Sequence, residues 1–100
     1  MRYSLLLMGM GLWVTSLMGL AAVDERQVLF DYQMHCQGCH TPDGTGAGSV
    51  PRMKGEIGVF LDSQEGREFL VRVPGSATSA LDDERLAAVL NWIITEFGGD

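Results

Sequence analysis

Positive charge is scarce in this sequence. The 100 residues carry 7 Lys and Arg against 13 Asp and Glu, a formal net charge of −6. A nucleic-acid partner is excluded, because binding one needs a cationic stripe that displaces counterions. Arg2 is the one cation ahead of Arg26, and every acid lies from Asp24 onward, so the body of the chain is more acidic than the whole. Such a surface keeps a protein soluble and can steer it toward a partner with a basic docking face. No run of alternating apolar and polar residues is long enough for a sheet, and no segment repeats another, which leaves an all-α reading. Cysteine is limited to 2 residues. The length permits one modest domain and excludes a large multi-site enzyme.

Ionisable side chains are absent altogether between residues 5 and 23. Arg2 ahead of that stretch makes a short n-region before a long h-region, and Gly19-Leu20-Ala21 sets small residues where a signal peptidase cuts. Residues 1–21 are therefore read as a signal peptide and residues 22–100 as the domain. The alternative is an uncleaved N-terminal anchor over residues 5–23, since roughly 20 apolar residues cross a bilayer. Contact with a membrane is expected only in that case. Either way the domain is exported. A domain of this size hides only roughly 60% of the surface its unfolded chain exposes, so it usually needs a staple, a metal or a cofactor.

Asp24 followed by a stretch from Glu25 to His35 without Gly or Pro predicts an N-capped first helix, with Val28, Tyr32 and Cys36 on one face. Residues 41–49, Thr-Pro-Asp-Gly-Thr-Gly-Ala-Gly-Ser, are turn chemistry throughout. Apolar residues at helical spacing predict two short helices, from Glu56 to Leu61 and from Glu65 to Val73, with Ser63 capping the second and Pro74-Gly75 stopping it. Leu86, Val89, Leu90, Ile93, Ile94 and Phe97 form the stripe of a final amphipathic helix. Asp82 is its expected N-cap, Leu81 and Leu86 its hydrophobic staple, and Gly98-Gly99 its end.

Both cysteines fall in Cys36-Gln37-Gly38-Cys39-His40, and C-x-x-C-H is the attachment signature of c-type haem. Two thiols three residues apart at a helix end can reach the two vinyl groups on one porphyrin edge, which sets the neighbouring His40 beneath the iron as proximal ligand. Three other readings compete. A thioredoxin-like dithiol belongs near a βαβ pattern, and none is visible. A structural zinc site drawn from His35, Cys36, Cys39 and His40 lacks the two-arm spacing that wraps a tetrahedral ion. A disulfide across two intervening residues closes too short a loop to stabilise much. Haem is attached outside the cytoplasm in bacteria, so the leader favours the haem reading. The porphyrin would also supply the core that a small domain is short of.

With these residues in view the chain resembles the small class I cytochromes c over most of residues 24–97. Tyr32, four before the first Cys, is similar to the aromatic on that family's first helix. Residues 36–46 are similar to its haem motif and the Gly-rich loop that follows. Pro51-Arg52-Met53-Lys54-Gly55 resembles its P-x-L-x-G segment, which implies that the Pro51 carbonyl accepts the other N–H of the His40 imidazole. Asn91-Trp92-Ile93 resembles the aromatic-apolar pair of its last helix, which implies a crossing with the first helix near Val28 and Tyr32. The implied fold is three to five short helices around one covalent haem c, with Cys36 and Cys39 as thioether donors and Tyr32, Pro51, Met53 and Trp92 at the pocket.

The family pattern fails on the other side of the iron. From residue 54 to residue 100 there is neither Met nor His. Met53 is the remaining candidate distal ligand, and its plainer role is a core filler where the family has Leu. Lys54 is a remote option, Met34 and His35 are poor ones, and an open distal position is the alternative. The expected function is one-electron transfer in the periplasm with a dehydrogenase or an oxidase as partner, a carrier rather than an enzyme. Two further readings stand beside it: a domain binding CO or NO, or acting weakly on peroxide, at an open iron, and a small subunit of a larger redox complex. No distal His is present to support efficient peroxidase chemistry.

Overall fold

The computed structural model describes Gly11 and residues 23–99. Apart from Gly11 and Val23, the signal-peptide and anchor readings fall on residues outside that set. Among the described residues no helix is long and apolar enough to cross a membrane.

Helix α1 spans Glu25–His35, and the Asp24 carboxylate caps it by accepting the Gln27 N–H at 2.8 Å. Its buried side chains are Val28, Asp31 and Tyr32. One residue later a single turn, α2, covers Gln37–His40. The last helix, α5, spans Asp83–Phe97, capped by Asp82 through the Arg85 N–H at 2.8 Å. Val89, Ile93 and Phe97 are its buried residues, four apart and so on one face.

That face packs on α1. Tyr32 lies with its ring centroid 4.9 Å from Trp92 and 5.6 Å from Phe97, and the Trp92 and Phe97 rings meet edge to face at 5.5 Å. These tilted geometries let ring edges meet ring faces, the arrangement aromatic quadrupoles prefer. Trp92 itself is only half-buried, whereas Tyr32, Val89, Ile93 and Phe97 are buried.

Between α2 and α5 lie smaller pieces. The expected helix after Glu56 is a 3₁₀ helix over Ile57–Asp62. Within it Gly58 runs against Gly98, and a Cβ there would stand 2.5 Å from the Gly98 carbonyl oxygen, so the close approach needs glycine. Helix α3, Gln64–Arg72, starts at Ser63, whose hydroxyl accepts the Gly66 N–H at 3.0 Å, and leans on the 3₁₀ helix through stacked Phe60 and Phe69. Pro74 ends α3 as expected but also opens one further turn, α4, over Pro74–Ala77, since its fixed φ suits a first helical position. No strand occurs among the described residues, only an isolated bridge between Ala47 and Val50. Among the described residues the fold is all-α, as a cytochrome c-like fold requires, with a core formed by Val28, Tyr32, Met53, Ile57, Leu70, Leu81, Val89, Ile93 and Phe97.

One polar contact ties the two long helices together. Asp31 is fully buried, and both its carboxylate oxygens are bonded by the Arg85 guanidinium while Gln27 Nε2 donates to Oδ1 at 2.9 Å. Those bonds to Arg85 hold the carboxyl below its ordinary value of 3.8 against the opposing effect of burial. Asp31 sits three residues after Val28 and one before Tyr32, an acid on the apolar face, and that is the sequence signal for a buried partner.

Candidate functional site

The end of α1 and the turn of α2 bring Cys36, Cys39 and His40 together. Cys36 closes α1 with its N–H on the Tyr32 carbonyl at 2.9 Å, and its carbonyl then takes the N–H groups of Cys39 at 3.2 Å and His40 at 3.0 Å. Both thiols are free; Cys36 is half-buried and Cys39 exposed. Burial raises the Cys36 thiol above its ordinary 9.0, with the Asp31 charge adding to it.

His40 is half-buried, and its Nδ1 lies 3.3 Å from the Pro51 carbonyl oxygen. A carbonyl only accepts, so Nδ1 carries the proton in that contact and Nε2 keeps a lone pair for a metal. Two thiols and one imidazole of fixed tautomer are the donor set of a c-type haem, and the residues fit that group. Among the described residues no three His, Cys, Asp or Glu side chains gather where they could hold a metal ion by themselves.

The turn after His40, expected from its residues as a plain loop, is held by converging side chains. Thr41 has φ 70, the one non-glycine residue with positive φ among the described residues. Its carbonyl accepts the buried Tyr32 hydroxyl at 2.6 Å, and burial pushes that phenol up to about 12. The Asp43 carboxylate accepts the Thr41 hydroxyl at 2.8 Å, the Thr45 hydroxyl at 2.7 Å and the Thr45 N–H at 3.2 Å. Donation by Thr45 and then Thr41 holds Asp43 down to about 2. The motif Thr-Pro-Asp-Gly-Thr signalled a turn, and the side-chain convergence within it depends on the positive φ at Thr41, which sequence does not reveal.

Met53 is buried, with its N–H on the Gly44 carbonyl at 2.8 Å. Pro51, Lys54, Met34 and His35 are exposed and Trp92 half-buried. A cavity of about 870 Å³ opens between the 3₁₀ helix and the end of α5, with Gly55, Gly58, Leu61 and Ile94 in its wall. None of Cys36, Cys39 or His40 lines it, so it is set apart from the donor cluster.

No family model matches the chain. It is 34% identical over 82 aligned residues to cytochrome c-552 of Thermus thermophilus, an alignment covering 63% of this chain and 63% of that protein. A cytochrome c-552 from a named strain of the same organism is also 34% identical over 82 residues, covering 63% of this chain and 55% of the relative. The chain therefore spans under two thirds of the length of these curated relatives, and what it is similar to is a c-type cytochrome.

Proposed function

We propose that this protein is a one-electron carrier that holds a single haem c through Cys36 and Cys39, with His40 as the proximal iron ligand. The observation that carries the reading is the His40 imidazole bonded at Nδ1 to Pro51 beside two free thiols. A bound haem supplies one reversible electron at its iron. The chain's own contribution is to tether, through two side chains on consecutive turns, and to orient, through the Pro51 carbonyl. Pro51 fixes the ring's tautomer and raises the basicity of Nε2. Similarity to two cytochromes c-552 supports the same reading.

The protein is proposed to act in the periplasm, exported by the leader, with a dehydrogenase or an oxidase of basic docking face as partner. The burial of Met53 in the core favours a second reading, an open distal position that takes CO or NO. Covalent attachment is the decisive test. The protein co-expressed with a haem-attachment system is expected to keep its haem through acid-acetone extraction, and Cys36→Ala and Cys39→Ala to weaken or abolish that retention. Haem extracted freely from the unaltered protein would refute the proposal.

A further inference from the structure

We propose that Asp43 is a positioning residue for the His40 imidazole, acting through the 41–46 loop on the hydrogen bond between the ring's Nδ1 and Pro51. This rests on the haem reading above. The loop holds both ends of that bond. At one end the Gly46 N–H donates to the His40 carbonyl at 2.9 Å, and Tyr32 anchors Thr41. At the other the Gly44 carbonyl takes the N–H groups of Met53 at 2.8 Å and Lys54 at 3.0 Å, fixing the strand of chain that carries Pro51. Asp43 sits between these anchors with the Thr45 N–H and hydroxyl on a single oxygen, which also competes with the His40 carbonyl for the Thr41 hydroxyl. Its side chain is exposed and adds nothing to the core, so what those bonds hold is the shape of the loop.

Thr41 needs that hold. A non-glycine residue in the left-handed region persists only where its surroundings over-determine it, and Thr41 follows His40 directly. Without the carboxylate the Thr45 hydroxyl loses its acceptor and the Thr41 hydroxyl keeps only the His40 carbonyl, so the tie between Thr41 and Thr45 slackens and the 3.3 Å contact between Nδ1 and Pro51 loosens. A weaker bond there makes Nε2 less basic, which favours the reduced iron and raises the potential.

The test uses the haem-loaded protein and reads the midpoint potential together with hydrogen exchange of the His40 Nδ1–H by NMR, in the ferrous state with CO added. Asp43→Ala is expected to raise the potential, shifting the redox equilibrium severalfold up to about tenfold, or 59 mV for one electron, and to speed Nδ1–H exchange. Asp43→Asn keeps an oxygen acceptor and is expected to stay near the unaltered protein. Thr45→Val removes one donor without touching the carboxylate, and is expected to move both readouts the same way by less. It also serves if Asp43→Ala fails to fold. Lower thermal stability with unchanged potential and exchange would overturn the positioning role. Loss of haem from the unaltered protein on extraction would instead overturn the haem reading beneath it.

Discussion

Met53 and Pro51 stand two positions apart, and that closeness governs the distal question. Pro51 faces His40, while Met53 is buried with its N–H bonded to Gly44. To reach the far side of the iron, Met53 would have to leave the core and pass the haem edge within two residues, at about 3.5 Å each. Met53→Leu is therefore expected to alter the optical spectrum little, and the ferrous protein to bind CO at neutral pH. Failure of CO binding, with Met53→Leu turning a low-spin spectrum high-spin, would make Met53 the sixth ligand. Asp31 carries a pH dependence. Its folded pKa lies below the unfolded value near 3.8, so its stabilisation is present above that pH and fades as pH falls through the folded value. The stability difference between the unaltered protein and Asp31→Asn is expected to be full at pH 7 and to shrink below about pH 4. Denaturation curves with a constant difference across that range would contradict it.

Where α1 crosses α5, the rings of Tyr32, Trp92 and Phe97 form the centre of the packing. Phe97 is 5% exposed, so Phe97→Ala is expected to cost about 3–5 kcal/mol as a large aromatic truncation in a core. Trp92→Ala, at a half-buried position, is expected to cost less. The loop is coupled to the same helix: Gly44 has φ +73, and a Cβ there would stand 2.8 Å from the Phe97 ring. Gly44→Ala is expected to destabilise by about 1–3 kcal/mol, from left-handed backbone strain and overpacking together. Chemical denaturation of the three variants in the haem-loaded protein would order them, and a Trp92→Ala loss larger than that of Phe97→Ala would count against this packing.

At the scale of the whole molecule, charge is the property through which the proposed carrier would meet a basic partner. The domain carries six cations beyond Arg2 against thirteen acids, a field that attracts a basic surface and is screened over about 8 Å at physiological salt. Electron exchange with a basic redox protein is expected to slow markedly as ionic strength rises, and exchange with an acidic one to quicken. Stopped-flow rates across a salt series check this. Rates indifferent to salt with both partners would argue that docking is apolar.

Sequence alone determined the features governed by neighbours along the chain. The α1 and α5 helices, their Asp24 and Asp82 caps, the Ser63 cap and the stop at Pro74 were legible because a cap or a 3.6-residue stripe is written within a few positions. The Cys36, Cys39 and His40 cluster was legible for the same reason. What only the tertiary structure decided depends on residues far apart. Arg85 is 54 positions from Asp31, so a sequence pattern can mark the buried acid without naming its cation. The close approach of Gly58 to the Gly98 backbone joins positions 40 apart, and the half-burial of Trp92 depends on how α5 is rotated against Tyr32. The Thr41, Asp43 and Thr45 knot is local in sequence, yet it forms only because Thr41 takes a positive φ and Tyr32 arrives from α1 to bond its carbonyl. Backbone choices of that kind are settled by packing rather than by residue type.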